Sequence, residues 1–172
     1  MTEPPLDAER IFAVLSAHGV DYVVVGGVAV QVHGHVRMTN DLDLIPAPDR
    51  ANLRRLTGAL RDLEARVLNP GSENLEIDAS MLRRATLWQL STKLGDIDLL
   101  HDAAGAAGFD ELRARSLVIA LGEHKIPIVG RDDLIRMKRA SGRPIDLEDI
   151  VALTEPEHRE SEQPGPAPKA SG

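Results

Sequence analysis

Two carboxylates one residue apart, Asp41 and Asp43, follow a glycine pair, Gly26-Gly27, with thirteen residues between Gly27 and Asp41. These residue types in this order suit chemistry on a metal-bound triphosphate. In Asp41-Leu42-Asp43-Leu44-Ile45 acids alternate with apolar residues. On a strand both carboxylates then project from one face while Leu42 and Leu44 enter the core. Their separation along the strand is about 7 Å from the rise per residue. Their oxygens can converge on one or two divalent ions, which two-metal sites hold roughly 3.5 to 4 Å apart. The plainer reading of Asp-x-Asp is an exposed polar strand face. Ahead of the glycines, Asp21-Tyr22-Val23-Val24-Val25 is a β-branched apolar run that reads as a buried strand. Val28 to Gly34 reads as a brief helix stopped by Gly34. Glycine has no Cβ, so backbone N–H groups there can approach an anion closely, and a helix N-terminus adds donors and a positive dipole end. Gly26 and Gly27 are therefore candidates for a phosphate cradle.

The combination hydrophobic-Gly-Gly, spacer, Asp-hydrophobic-Asp-hydrophobic resembles the signature of the nucleotidyltransferase superfamily related to DNA polymerase β. The resemblance implies an α+β (mixed α/β) nucleotidyltransferase fold, a mixed β-sheet with flanking helices. It also implies a third carboxylate on a neighbouring strand, in a Thr-x-x-Gly-x-hydrophobic-Asp-hydrophobic-Leu setting. Thr92-Lys93-Leu94-Gly95-Asp96-Ile97-Asp98-Leu99-Leu100 matches that setting with Asp98. Asp96 shares its face and is the alternative third ligand; both could also simply solvate a strand edge. On this reading Asp41, Asp43 and Asp98 hold Mg²⁺ or Mn²⁺, and a nucleoside triphosphate (NTP) is the substrate.

Farther on, Asp132 to Ala140 opens with acids suited to a helix N-terminus and carries apolar residues at 134, 135 and 137. Ser141-Gly142-Arg143-Pro144 breaks it, and Ile145 to Leu153 gives a second stripe through Leu147, Ile150, Val151 and Leu153. This Leu-Ile-x-x-Lys … Gly-Arg-Pro-x-Asp-Leu-x-Asp-Ile ending resembles the AbiEii-like nucleotidyltransferases. That group includes type IV toxins of toxin–antitoxin pairs and the MenT-type tRNA nucleotidyltransferases. The resemblance covers residues 9 to 153. It implies that Lys138 contacts nucleotide phosphates and that Asp146 completes the site as a polar or acid–base partner. A compact ammonium can neutralise a triphosphate, and an aspartate at a helix start can equally be a cap. Many relatives carry a lysine just before this aspartate, where this chain has Ile145. The implied acceptor is the tRNA 3′ end, with a cognate antitoxin as partner. A small-molecule acceptor, a protein modified with AMP, and a non-catalytic antitoxin-like binding module are the alternatives.

Length and composition bound these expectations. A chain of 172 residues, 42% hydrophobic and only 2% aromatic, suits one domain with an aliphatic core. We expect it over residues 1–154, with a disordered tail over 155–172 that is rich in Pro, Glu, Ser and Gly. No cysteine is present, which excludes disulfides and thiolate metal sites. The amino terminus lacks an apolar signal core and no segment reaches the length of a membrane span, so a cytoplasmic location without membrane contact is expected. Net charge is −7, or about −5 without the tail's four acids and two bases. That balance argues against a broad basic surface, although Arg37, Arg54, Arg55, Arg83, Arg84, Lys93, Arg136, Lys138, Arg139 and Arg143 could line one cleft and give salt-sensitive RNA contacts.

The elements that must position these groups follow from periodicity. Residues 7 to 18 read as an amphipathic helix through Ile11, Phe12, Val14 and Leu15, and Pro48-Asp49 starts a longer one through about Val67. Residues 70 to 74 make a loop. Leu87–Thr92 and Gly95–Leu100 read as a hairpin through Lys93-Leu94, and strands at 117–121 and 125–129 flank a turn at Gly122-Glu123-His124. Thr39 suits either a substrate contact or turn stabilisation, and Arg37 either a triphosphate or a solvated loop. His33 and His35 lack the neighbours of a metal site. Trp88 suits packing or base stacking.

Overall fold

The structure, a computed structural model, describes residues 5–72 and 74–155. Almost all of the expected tail lies outside the described residues. Helix α1 (Ala8–Ala17) is capped by Asp7, whose carboxylate accepts the Arg10 N–H at 3.2 Å, and buries Ile11, Phe12 and Leu15. Strand β1 (Tyr22–Val25) is buried on both faces, as its unbroken apolar run requires. The brief helix expected from Val28 begins earlier: α2 spans Gly26–Val32 and takes in both glycines. Strand β2 (Asp41–Pro46) buries Leu42, Leu44 and Ile45 and leaves Asp41 and Asp43 partly exposed on the other face.

Helix α3 (Arg50–Asp62), capped by Asp49, buries Leu53, Leu56 and Leu60. It stops five residues before Val67. Glu64 takes a left-handed φ of 52°, and β3 (Arg66–Val67) turns onto the sheet, where Val67 is buried. The helical apolar spacing continues past the end of the helix because Val67 faces the same core from a strand. Asn52 fixes this helix to β1: buried, it accepts the Asp21 N–H at 2.7 Å and donates to the Asp21 and Ala47 carbonyls at 2.9 Å each. A one-turn helix, α4 (Ala79–Leu82), precedes the hairpin β4 (Leu87–Thr92) and β5 (Gly95–Leu100). Thr92 closes that hairpin, donating its hydroxyl to the Gly95 carbonyl at 2.6 Å and accepting the Leu94 N–H at 3.0 Å.

Helix α5 (Phe109–Ala114) leads to β6 (Leu117–Leu121), and β7 (His124–Ile128) starts at His124, so the turn is Gly122-Glu123 alone. Helices α6 (Arg131–Ser141) and α7 (Pro144–Thr154) close the described chain, joined through Gly142, which caps α6. Neither α4 nor α5 was expected from the sequence, and among the described residues no helix is long and apolar enough to cross a membrane. The seven strands form one mixed sheet in the order β3-β4-β5-β2-β1-β7-β6. Strand β2 runs antiparallel to β1 and parallel to β5, and β1 runs parallel to β7. The architecture is thus the mixed sheet with flanking helices expected from the sequence.

The expected stripe on α7 holds at Ile150 and Leu153 and fails at Leu147 and Val151. Leu147 and Val151 are more than half exposed, whereas Asp146, Asp149 and Leu153 are buried. The helix presents two carboxylates to the protein because α6 offers Lys138 opposite them.

Candidate active site

Register brings the acids together. In the parallel pair β2–β5, Asp43 lies beside Asp98 and Asp41 beside Asp96, while Asp43 also faces Val25, the last residue before α2. Period-two alternation holds all four acids on one face. Carboxylate oxygens of Asp41, Asp43 and Asp98 lie within 4.8 Å of one another. They line a cavity of about 320 Å³ with Gly26, Gly27 and Lys138. Asp96 instead lines a separate depression with Asn40 and Asp41.

The acids repel each other strongly. Burial first, then the charges of Asp41 and Asp98, push Asp43 up to about 7 against the attraction of Lys138 and the Gly27 N–H. Asp98 is raised to about 6 by burial and the Asp41 charge, partly offset by a hydrogen bond with Gln89. Three oxygen donors at this spacing, carrying charge they resist, are what a divalent cation relieves. The donor set therefore fits Mg²⁺ or Mn²⁺.

The glycines make room for Asp43. Gly26 adopts φ +65°, and a Cβ there would stand 1.9 Å from Asp43 Oδ2; one at Gly27 would stand 2.6 Å from Thr39 Oγ1. The Gly27 N–H donates to Asp43. Part of the donor set at the start of α2 thus holds a carboxylate. Gly26→Ala combines a disfavoured φ with a clash against this group, and we expect a loss of about 1–3 kcal/mol in urea unfolding together with loss of divalent-cation binding by calorimetry. Unchanged unfolding and cation affinity in this variant would contradict the close approach. Thr39 donates to Asp41 Oδ1 at 2.9 Å, so its hydroxyl orients a carboxylate.

Behind the acids lies an ionic network. Lys138, 5% exposed at its side chain, puts Nζ 2.8 Å from Asp146 Oδ1 and 2.9 Å from Asp149 Oδ2. Arg37 grips Asp149 with Nε at 2.8 Å and Nη2 at 3.0 Å. Arg143 reaches Asp146 with Nε at 2.8 Å. Asp146 also accepts the Arg143 backbone N–H at 3.2 Å, a helix cap without a reciprocal half, since a guanidinium cannot accept. Burial opposes ionisation of Asp146 and Asp149. The hydrogen bonds from Arg143 and Lys138 to the first, and from Arg37 and Lys138 to the second, still hold both below the usual carboxylate range.

The structure therefore gathers Gly26, Gly27, Thr39, Asp41, Asp43, Asp98, Lys138 and Asp146 around one cavity. Lys138 points its ammonium at two aspartates, and the cations nearer the mouth are Arg37 and Arg143. Asp149 went unread in the sequence, and Arg143, there only one of ten basic positions that could line a cleft, does line this one. Their signal was the Asp146/Asp149 spacing of three, which places both on one helix face, and the Arg of the Gly-Arg-Pro break. Of the other basic positions, Lys93 pairs with Glu64, Arg136 with Asp133, Arg55 donates to the Gly19 carbonyl, and Arg54 and Arg83 line a separate cavity. His33 Nε2 lies 2.7 Å from the Val129 carbonyl oxygen, and buried Trp88 donates to the Leu82 carbonyl, which makes Trp88 a packing residue.

No family model and no curated protein matches the chain. Solved structures do resemble it. The lincosamide antibiotic adenylyltransferase LnuA, lincomycin-bound, superposes with a TM-score of 0.60 over 88% of this chain and 98% of that one, at 16% identity. An antigenic nucleotidyltransferase-like protein from Paracoccidioides brasiliensis gives 0.56 over 87% and 77%, also at 16% identity. ANT(2″)-Ia in complex with adenylyl-2″-tobramycin gives 0.52 over 83% of each chain at 16% identity. The chain has the nucleotidyltransferase fold.

Proposed function

We propose that the protein is a nucleotidyltransferase that moves a nucleoside monophosphate from an NTP to an acceptor hydroxyl. The observation that carries this reading is the convergence of Asp41, Asp43 and Asp98 at the start of α2, in a cavity that also holds Lys138 and two arginines. Asp41, Asp43 and Asp98 would hold a divalent cation, which would supply charge neutralisation for the triphosphate. Gly26 and Gly27 make room for Asp43 and Thr39 against the start of α2, so a cation held by the carboxylates, and the phosphates on it, would lie close to the backbone there. Arg37 and Arg143, each tied to an aspartate, present guanidinium charge to the triphosphate in fixed orientations. Lys138 adds a buried positive charge behind Asp43. Asp98, beside Asp43 on the neighbouring strand, accepts the proton of the acceptor hydroxyl. The acceptor oxygen bonds to the α-phosphorus as the bond to the β-phosphate oxygen breaks, and pyrophosphate leaves.

For the acceptor, the Gly-Arg-Pro-x-Asp-Leu-x-Asp ending supports the tRNA 3′ end, and with it a role as the toxin of a type IV pair whose antitoxin is the cognate partner. A small-molecule acceptor is the second reading, favoured by the near-complete superposition of the lincomycin-bound adenylyltransferase. The test is incubation of the full chain with each α-labelled NTP, Mg²⁺ or Mn²⁺, and total tRNA or a panel of hydroxylated antibiotics. Label on the RNA 3′ end supports the first reading, and label on an antibiotic the second. Label on neither overturns both.

A further inference from the structure

A second cavity, of about 620 Å³, lies between α3 and α4 and shares no lining residue with the carboxylate site. Four of its lining residues are arginines: Arg50, Arg54 and Arg61 from α3, and Arg83 just after α4. All four are exposed, and none forms an ion pair or side-chain hydrogen bond among the described residues. At 3.6 residues per turn the three α3 arginines fall within about 40° of one another around the helix, and they extend over about 16 Å along it. The one acid in the lining, Asp78, already caps α4 by accepting the Met81 N–H at 2.7 Å.

This clustering runs against the rest of the molecule. The chain carries net charge −7, yet here like charges stand together without partners. Arg50 also occupies the first position of α3, where the positive end of the helix dipole disfavours a cation, and the neighbouring acid, Asp49, is engaged as the cap of that helix through the Asn52 N–H. A solvated helix face has no need of this arrangement, whereas a repeating anion neutralises it. Guanidinium forks take phosphate oxygens two at a time, and a row along one helix face fits charges repeated along a strand better than a single compact ion.

We propose that the α3–α4 groove binds the phosphodiester backbone of an RNA strand. The choice of RNA over DNA rests on the acceptor reading above; the phosphate chemistry does not. The groove grips a strand by its backbone, independently of sequence, away from the carboxylates.

Fluorescence anisotropy of the full chain with a labelled single-stranded RNA 20-mer, from 50 to 200 mM salt, tests this. Four phosphate contacts give a log–log salt slope near −3, so the affinity of the unaltered protein should fall roughly 50-fold across that range. The Arg50→Ala/Arg54→Ala/Arg61→Ala/Arg83→Ala variant should bind more weakly at 50 mM and lose about 3 from the slope. The corresponding Arg→Lys variant should keep the slope, because the charges remain. An unchanged affinity and slope in the alanine variant overturns the proposal, as does tighter binding of poly-glutamate than of RNA. Nucleotide transfer in the same preparations separates the two readings. Groove-dependent RNA binding without transfer leaves the groove and removes the catalytic reading; transfer with RNA binding unmoved by the alanine variant does the reverse.

Discussion

Asp43→Asn is expected to abolish nucleotide transfer while making the cation-free protein more stable at neutral pH. Asparagine keeps an oxygen to accept the Gly27 N–H and nearly the same volume, so α2 and β2 stay in place. It removes one of three mutually repelling carboxylates. Loss of a single group aimed at developing charge costs on the order of a hundred- to a thousandfold in rate, and we expect at least that. The stability effect has a definite sign. Asp43 and Asp98 have folded-state pKa values raised to about 7 and about 6, so between pH 4 and 7 the folded state holds protons that the unfolded state has released. Stability of the cation-free protein therefore falls as pH rises through that window. Thermal melts across pH 4 to 8 should show this decline, Mg²⁺ or Mn²⁺ should reverse it, and Asp43→Asn should flatten it. A melting temperature that rises with pH in the absence of cation would refute the account of the cluster, and transfer at the unaltered rate would refute its catalytic role.

The second large effect is structural. Asp149→Ala removes the carboxylate shared by Lys138 and Arg37, leaving Arg37 without its fork and Lys138 with Asp146 alone. Breaking a buried ion pair from one side costs about 3–5 kcal/mol. For a domain of this size that corresponds to a fall in melting temperature on the order of 10 °C. The Lys138→Met/Asp149→Leu double substitution should cost less than the sum of the two single ones, because it leaves fewer stranded charges. Additive losses would show that the three groups do not act as a unit.

The local and the distant were unequally legible in the sequence. Asp41, Asp43 and Asp98 could be read because each sits in an alternating run whose strand period fixes its face. The hairpin at Lys93-Leu94 could be read because Thr92 and Gly95 close it within four residues. The end of α3 could not, because Val67 continues a helical apolar spacing while lying on the sheet. Half of the face of α7 was misread for a related reason, since only Ile150 and Leu153 of its stripe pack inward. Its apolar residues are the obvious stripe, yet Leu147 and Val151 face solvent because Lys138, on a different helix, draws Asp146 and Asp149 inward. A two-residue strand such as β3 and a one-turn helix such as α4 leave no period to detect.

The order in which the site's parts emerge during synthesis has its own consequence. Gly26, Asp43 and Asp98 belong to the first hundred residues, but Lys138 and its partner Asp149 arrive only with the last two helices. Until then Arg37 has no carboxylate to hold it, and the cavity lacks the wall that Lys138 and Arg143 complete. A nascent chain on the ribosome therefore carries the acids without the assembled centre. The centre is complete only once α7 has emerged, which leaves an interval in which the carboxylates stand without Lys138, Asp146 and Asp149.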